Sequence, residues 1–474
     1  MLSHGTIVWF RQDLRLQDNP ALGAAIRRGS WILPLYIHCQ AEAGDWPAGG
    51  ATCWWRHHSL EQLSAALASR GARLILKSGH AQEVIGALAR SSGADAVYWN
   101  RCYEPAAIAR DAALKQTLRE RGLRCESFNG ALLAEPWDVR SPVGKPYRLF
   151  SPFRRRLLEQ LRLPPALECP RTLPAPASWP RSESLAALGL LPQLTWYRGM
   201  TGHWHPGEAG AGKRVRQFLG RPLRQYGALR DRPDREGTSS LSPHLHFGEL
   251  SVRALWRLGV KRRGWRDSAF ASELIWREFA HHLLYYNPAT PLEPLDASFQ
   301  RFAWHSTPAT LRAWQRGLTG LPIVDAGMRQ LWAIGWMHNR VRMIVASVLV
   351  KNLRQHWLHG ARWFWDTLVD ADLANNTMNW QWVAGCGADA APFFRIFNPV
   401  AQGERFDPNG DYVRRWVPEL AALPAAHIHT PHLAPAEVLA TARVHIGHTY
   451  PAPLVNLKRS REEALAAYQT MRRG

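Results

Sequence analysis

A short segment near the middle of the chain places three chemically different side chains on one helical face. In ELIWREF, Glu273, Trp276 and Arg277 stand at i, i+3 and i+4, the spacing that brings side chains together on a helix. A flat polar heterocycle could stack on the tryptophan while the carboxylate accepts from ring N–H groups and the guanidinium binds phosphate. An ordinary ion pair between Glu273 and Arg277 beside a core tryptophan suits the same spacing, and both interpretations stay open.

A second group lies on one long helix that the sequence predicts near 325 to 353. At 100° per residue, Asn339, Arg340 and Met343 fall within an arc of about 100°, and Arg342 lies about 60° to the other side of Asn339. The helix could therefore direct Asn, Arg and Met at one ligand and the second Arg at another. The alternative is a helix end with solvated arginines and a core methionine.

Two further segments carry possible ligand-binding groups. Asp370 and Asp372 could be metal ligands, a helix N-cap with its neighbour, or acceptors for N–H groups of a bound ring. No histidine or further carboxylate follows at ligand spacing, so we predict no metal site. The run Thr238 to Ser242 precedes a helical stretch, where hydroxyls and free backbone N–H groups bind phosphate or cap the helix.

The elements that must position these residues change in character along the chain. Over the first 135 residues, the apolar runs TIVWF, WILPLYI, ARLILKSG and DAVYWN alternate with amphipathic stretches, which predicts a doubly wound, Rossmann-like parallel sheet. No GxGxxG motif follows the first run, which argues against an ordinary NAD site. A proline-rich connector with one helix, SPFRRRLLEQL, comes next, and the rest is helical. We therefore expect an α/β domain at 1–134, a connector at 135–205 and an all-α domain at 206–474.

Composition bears on partners and on location. The chain has 59 Lys and Arg against 38 Asp and Glu, a net charge of +21, which favours a polyanionic partner such as nucleic acid. An arginine-rich proteome is the alternative. The six cysteines form no CxxC pair, which argues against a zinc ribbon or a disulfide framework. With no signal peptide and no apolar run long enough to span a membrane, we expect a cytoplasmic protein.

Taken in order, several segments together resemble the photolyase and cryptochrome flavoproteins and cover most of the chain. They are RQDLRLQDNPAL, EGTSSLSPHLHFGELS, ELIWREF, GLPIVDAGMRQLWAIGWMHNRVRM, DADLANNTMNWQWVAGCGADAAPFFRIFNP and QGERFDPNGDYVRRWVPEL. The resemblance implies an N-terminal α/β antenna domain and a helical domain that holds FAD in a U shape.

The resemblance also implies roles for individual residues. Asn376 would face flavin N5, and Arg342 would pair with the two aspartates. The implied FAD contacts are Tyr226, Thr238, Ser239, Ser240, Leu241, Ser242, Arg342, Asp370, Ala371, Asp372 and Asn376. The implied catalytic contacts to a flipped pyrimidine dimer are Glu273, Asn339, Arg340, Met343 and Trp382, those to DNA are Arg230, Trp276, Arg277 and Gln402, and the electron-transfer chain is Trp380, Trp357 and Trp304.

The implied activity is that of a carbon–carbon lyase that repairs cyclobutane pyrimidine dimers in UV-damaged DNA. Excited FADH⁻ passes an electron to the extruded dimer. Met343 stands where enzymes for the (6-4) photoproduct carry histidines, and Asn376 is typical of photolyases. A cryptochrome-type blue-light sensor is the runner-up, and a DNA-binding flavoprotein with a structural role is a third possibility.

A second chromophore is also implied. Ala106 and Ala107 stand where enterobacterial relatives have folate contacts, which argues against that binding mode. Other segments look closer to bacterial relatives that hold folate differently. We therefore favour methenyltetrahydrofolate over 8-hydroxy-deazaflavin as the antenna, and we expect a monomer.

Overall fold

The computed structural model describes residues 4–390 and 395–473, apart from the side chain of residue 221. Residues 391–394, part of the motif that ends in FRIFNP, lie outside the described residues. The chain divides into two compact units. Unit 1 comprises Met1–Thr195, Trp204–Gly220 and Ser239–Pro288, and unit 2 comprises Trp196–His203, Arg221–Thr238 and Ala289–Gly474.

Unit 1 contains a parallel sheet with the strand order β3-β2-β1-β4-β5 in the part of the chain that the structure describes. The strands are β1 (Gly5–Phe10), β2 (Trp31–His38), β3 (Ile75–Ser78), β4 (Ala96–Asn100) and β5 (Arg124–Phe128). The four predicted strands are confirmed. The fifth, RCESF, was not predicted, because Arg124 and Glu126 interrupt any apolar run there. It pairs with β4 at the edge of the sheet, where polar side chains are tolerated.

Helices make up most of the remaining structure. In chain order the first are α1 (Pro20–Arg27), α2 (Gly50–Ala68), α3 (Ala81–Ser92), α4 (Pro105–Glu120), α5 (Phe150–Gln160), α6 (Arg198–Thr201), α7 (Glu208–Phe218), α8 (Arg221–Leu229), α9 (Ser242–His246), α10 (Val252–Val260) and α11 (Ala269–Tyr286). They continue with α12 (Pro308–Gln315), α13 (Pro322–Ile334), α14 (Asn339–Ser347), α15 (Trp357–Thr367), α16 (Leu373–Ala384), α17 (Pro399–Phe406), α18 (Asp411–Trp416), α19 (Ala436–Thr441) and α20 (Leu457–Arg473). The connector helix predicted from SPFRRRLLEQL is α5.

The core of unit 1 lies against the sheet. Every residue of β1 is buried, as expected for a parallel strand covered by helices on both faces. Alternate positions of the strands share one cluster with apolar residues of α3 and α4. This cluster includes Ile7, Trp9, Leu33, Leu35, Val97, Trp99, Ile85, Leu88, Leu114 and Leu118. The alternation of side chains between the two faces of a strand therefore selects which residues of the predicted apolar runs enter this core.

The single helix predicted near 325 to 353 is wrong, because the chain turns between α13 and α14. Gly335 ends α13 in the left-handed region at φ 66°, where glycine carries no steric penalty. His338 then begins the next helix, since its Nδ1 accepts from the backbone N–H of Arg340 at 3.2 Å. After α14 the chain continues as a π-helical segment, Val348–Asn352. The candidate residues at 339–343 therefore occupy the first turns of a separate helix.

One buried cation stands in the core of unit 2. Lys351 is 1% exposed, and its Nζ donates to the carbonyl oxygen of Ala384 at 2.7 Å. Burial lowers the pKa of Lys351 to about 7, because the interior disfavours the charged form.

Among the described residues, no helix combines the length and the apolar character that crossing a bilayer requires.

Replacing Lys351 with methionine should change how stability depends on pH. With a folded pKa of about 7 and an ordinary pKa in the unfolded chain, Lys351 binds a proton only in the unfolded state between these values. It therefore makes the free energy of unfolding rise with pH above 7, by up to about 1.4 kcal/mol per pH unit. Urea denaturation of both proteins from pH 6 to 9 measures the difference. Parallel stability curves would show that Lys351 keeps an ordinary pKa.

Candidate functional site

An ion pair between half-buried Arg342 and buried Asp370 joins two of the candidate cofactor residues of unit 2. Arg342 Nη2 donates to both carboxylate oxygens of Asp370, at 2.9 and 3.1 Å, which confirms the predicted pairing for this aspartate. The Asp370 side chain is 4% exposed. Arg342 Nε also donates to the carbonyl oxygen of Met337 at 2.8 Å. The guanidinium is therefore held at two points and presents a fixed positive charge.

Asp372 has a different partner from Asp370. Its Oδ1 accepts from the backbone N–H of Asn375 at 2.8 Å and so caps α16, which confirms the N-cap interpretation. Ala371 between the two aspartates is buried. One turn into α16, Asn376 Nδ2 donates to the carbonyl oxygen of Ala361 at 3.0 Å. The amide of Asn376 is thereby oriented by the neighbouring helix α15.

Aromatic rings surround the three proposed electron-transfer tryptophans, all in unit 2. Trp380 is buried and packs edge-to-face with Phe364, the ring centroids lying 5.0 Å apart. Trp304 and Trp357 both contact the ring of His356, at centroid distances of 5.1 and 5.7 Å. Burial lowers the pKa of His356 to about 4. The ring between these two tryptophans is therefore neutral at pH 7.

The first turns of α14 present the predicted group of Asn339, Arg340 and Met343. Asn339 is exposed and the other two are half-buried. Arg340 donates to Asp231 Oδ1 at 2.8 Å and lies over the ring of Phe406, 4.6 Å from its centroid. Its Nη1 also contacts Met343 Sδ at 3.8 Å. Arg340 and Met343 are therefore brought together, and the solvated-arginine alternative does not describe Arg340.

His338, which caps α14, affects the charge beside Arg340. Besides capping α14, it is 2% exposed, and burial lowers its pKa to about 4. A neutral imidazole adds no positive charge beside Arg340 and Arg342, which both lie on the helix that it begins. The positive charge at the start of α14 therefore comes from the two guanidinium groups and not from His338.

The hydroxyl run Thr238 to Ser242 divides between the two units. In unit 1, Arg214 donates to the carbonyl oxygen of Ser239 and to Ser240 Oγ, both at 2.9 Å, and Ser240 adopts a positive φ of 50°. Leu241 is buried and Ser242 begins α9. In unit 2, a Cβ on Gly237 would lie 2.6 Å from the carbonyl oxygen of Leu229. A glycine is therefore required directly before Thr238.

On α11 in unit 1 the predicted face exists, with partners that the sequence did not reveal. Trp276 stacks on Phe150 with centroids 3.6 Å apart and ring planes 5° from parallel. It is half-buried, so the core interpretation is wrong for this tryptophan. Arg277 forms an ion pair with Glu278 at 3.3 Å and donates to the carbonyl oxygen of Ala131 at 2.9 Å. Glu273 is half-buried on the same helix.

The remaining candidates take diverse positions in unit 2. Tyr226 is buried on α8, and the guanidinium of Arg230 lies 5.7 Å from its ring centroid. Gln402 and Trp382 are half-buried, on α17 and α16. Within each unit the structure thus joins the candidates in small groups, and their functional roles stay predictions.

Three supporting residues escaped the sequence analysis. Asp231 holds Arg340, Arg214 holds the serine turn, and Phe150 stacks on Trp276. Each lies far along the chain from at least one of its partners, so helical spacing gave no signal. Asp231 directly follows Arg230, and its position beside a proposed DNA contact was the one available indication.

Comparisons with known proteins give one family match in the N-terminal part of the chain and a second in the C-terminal part. Residues 6–177 match the family model described as DNA photolyase, and residues 270–470 match that of the FAD binding domain of DNA photolyase. The match to the FAD binding domain contains both members of the Arg342–Asp370 ion pair and also Asn376 and Trp380 on α16.

Individual relatives match over nearly the whole chain. A deoxyribodipyrimidine photo-lyase of Agrobacterium fabrum is 49% identical over 98% of both chains. Cryptochrome-1 of Arabidopsis thaliana is 37% identical over 98% of this chain and 70% of its own length. The crystal structure of a bacterial class III photolyase from Agrobacterium tumefaciens superposes with a TM-score of 0.96 at 48% identity, covering 100% of this chain and 99% of the other. The chain therefore belongs to the photolyase and cryptochrome family.

Proposed function

We propose that this chain is a DNA photolyase that splits cyclobutane pyrimidine dimers in UV-damaged DNA when it absorbs light. The observation that carries the proposal is the near-full-length similarity to a deoxyribodipyrimidine photo-lyase, at 49% identity. Of the residues proposed to hold the dimer, Arg340 and Met343 contact each other on one helix.

FAD is the cofactor that the helical family domain implies, and the chemistry of the donor set fits it. A flavin ring edge offers both N–H donors and carbonyl acceptors, and the Arg342–Asp370 pair offers the complementary groups. Within unit 1 taken by itself, the turn at Ser239 and Ser240, with Arg214 beside it, offers N–H and hydroxyl donors of the kind that a diphosphate needs. Reduced FAD would supply the electron that light drives into the dimer.

The roles proposed for the chain are binding, orientation and electrostatics. Arg342 holds a fixed positive charge that favours an anionic reduced ring. The Asn376 amide, oriented by Ala361, can accept or donate a hydrogen bond but cannot give up a proton as a carboxylic acid would. This favours retention of the reduced form.

The residues proposed to bind the substrate are described within each unit by itself. Arg340, held by Asp231 and Phe406, presents a cation with little freedom to lose on binding. Met343 is a thioether and offers no proton, so the chemistry of the (6-4) photoproduct is disfavoured. Trp276, with a rigid stack behind it, suits an unpaired base.

A direct experiment tests the activity. Purified protein with reduced flavin is mixed with an oligonucleotide that contains one cyclobutane thymine dimer, in blue light and in darkness. We expect restored thymines in light only. Absence of repair in light, with intact flavin and measurable DNA binding, would favour the blue-light sensor, which the 37% identity to Cryptochrome-1 keeps as the second candidate.

Replacing Trp380 with phenylalanine should block photoreduction of oxidised flavin. Trp380 packs against Phe364 and Trp314, and phenylalanine keeps an aromatic ring but is much harder to oxidise than indole. Repair by enzyme that is reduced beforehand should be spared. The readout is the oxidised-flavin absorption under light with an external reductant. Trp256→Phe, at a fully buried tryptophan of unit 1, is the matched control, and rapid bleaching of the Trp380 variant would contradict the role.

DNA binding should weaken steeply as salt is added. The net charge of +21 favours binding with release of counterions, and each neutralised phosphate contributes a slope of about −0.9 to log K against log salt. Fluorescence anisotropy with labelled dimer-containing DNA at several salt concentrations measures this slope. A flat response would show that the basic surface does not contact phosphate.

The antenna, the domain limits and the assembly belong to the same proposal. We favour methenyltetrahydrofolate over 8-hydroxy-deazaflavin, and the absorption spectrum of purified protein distinguishes the two.

The functional division at 1–134, 135–205 and 206–474 is tested by limited proteolysis. Light scattering tests the monomer, and a fluorescent fusion tests the cytoplasmic location.

A further inference from the structure

Three potential metal ligands meet at the carboxyl ends of two neighbouring strands of unit 1. Cys39 directly follows β2, and the paired strand β3 ends at Ser78, which lies opposite His38. Gly79 N then donates to the carbonyl oxygen of His38 at 3.1 Å, with a positive φ of 117°, and the chain reaches His80 immediately before α3. Parallel pairing thus brings Cys39 beside His80 although 40 residues separate them.

The geometry of the cluster is close to that of a metal site. Cys39 Sγ, a carboxylate oxygen of Glu42 and a ring nitrogen of His80 all lie within 4.8 Å of one another. His80 Nδ1 is 3.6 Å from Glu42 Oε1. Zinc bond lengths of about 2.0–2.3 Å place tetrahedral ligand atoms roughly 3.3–3.8 Å apart. Side-chain movements of about 1 Å would therefore close the site.

The surrounding structure orients the side chain of Glu42, whereas the side chain of His80 can change its orientation. Glu42 Oε1 accepts from the backbone N–H of Ala81 at 2.8 Å, the kind of outer contact that orients a ligating carboxylate. The side chain of Glu42 is 13% exposed, whereas that of His80 is 58% exposed. The imidazole can therefore turn toward an ion, and water can reach a fourth position.

One cation also faces the cluster. Arg110 Nη1 lies 3.7 Å from Glu42 Oε2. The same guanidinium pairs with Asp111 at 2.8 Å and lies over the Trp9 ring, so its charge is shared. A nearby guanidinium weakens binding of Mg²⁺ or Ca²⁺, which depends on carboxylate charge. It opposes a thiolate–imidazole site less, because those ligands bind softer ions through more covalent bonds.

The geometry points to a zinc site formed by Cys39, Glu42 and His80, with a fourth position taken by water. Bound zinc would tie the end of β2 to the start of α3. The spacing of the cysteines predicted no metal site, because a mixed set gathered from two strand ends leaves no CxxC motif.

The test uses the FAD-loaded protein after treatment with a chelator. Zinc is titrated in competition with a chromophoric chelator, and Co²⁺ is added separately because its d–d bands lie to the red of oxidised flavin absorption. We expect one equivalent of zinc, a tetrahedral cobalt spectrum with a thiolate charge-transfer band, and a higher melting temperature with zinc. Cys39→Ser and His80→Ala should each lower the affinity at least roughly tenfold.

Cys169→Ser is the matched control, since Cys169 is also half-buried and free and should not change zinc binding. Alkylation of the unmutated protein gives a second measurement that does not depend on folding of a variant. Zinc should protect Cys39 and leave the rate at Cys169 unchanged. Absence of binding, or binding that Cys39→Ser and His80→Ala leave intact, would overturn the site.

Discussion

Replacing Arg342 with methionine is expected to lower the free energy of unfolding by about 3 kcal/mol and to release flavin. The Asp370 side chain is 4% exposed, and removal of the guanidinium leaves a buried carboxylate without the two hydrogen bonds at 2.9 and 3.1 Å. Removing one member of such a pair is costly, because the guanidinium no longer offsets the desolvation of the buried carboxylate. Denaturant titration and the flavin content after gel filtration measure both effects.

The double variant Arg342→Met with Asp370→Asn separates the ion pair from simple loss of packing. Removing both charges should restore much of the stability that the single change costs. Arg342→Lys keeps the charge but cannot reproduce the paired donors, so it should retain an intermediate amount of flavin. If the double variant is as unstable as the sum of both single variants, the pair contributes nothing by itself.

Replacing Glu273 with alanine should lower repair efficiency roughly ten- to a hundredfold while flavin stays bound. A hydrogen bond to a charged group contributes about 1.5–3 kcal/mol, and the proposed role of Glu273 is to bond the dimer and stabilise its reduced form. The side chain is only half-buried on α11, so stability should change little. Repair rates under single-turnover illumination, with reduced enzyme, give the effect.

Two further variants serve as comparisons for Glu273→Ala. Glu273→Gln keeps a hydrogen-bonding group without the charge and should fall between the wild type and alanine. Glu120→Ala removes an exposed carboxylate at the end of α4 and should leave repair unchanged. Equal repair by Glu273→Ala and the wild type would remove Glu273 from the dimer-binding residues.

Local pattern was sufficient for elements that are buried or capped in a regular way. The runs TIVWF and DAVYWN became β1 and β4 because continuous apolar residues suit a strand covered on both faces. The same approach missed β5, whose polar positions are tolerated at a sheet edge. It also joined α13 to α14, since helical spacing continues across Gly335, and a single left-handed residue interrupts the helix without changing that spacing.

The sequence by itself determined the fold class, the family resemblance and the types of residue available for chemistry, because these depend on periodicity and on motifs read along the chain. Only the tertiary structure decided which side chains from different elements contact each other. It pairs Arg340 with Asp231 and Trp276 with Phe150, and it brings Cys39 to His80. Each of these contacts joins residues from different elements, and their separation along the chain carries no information about distance in space.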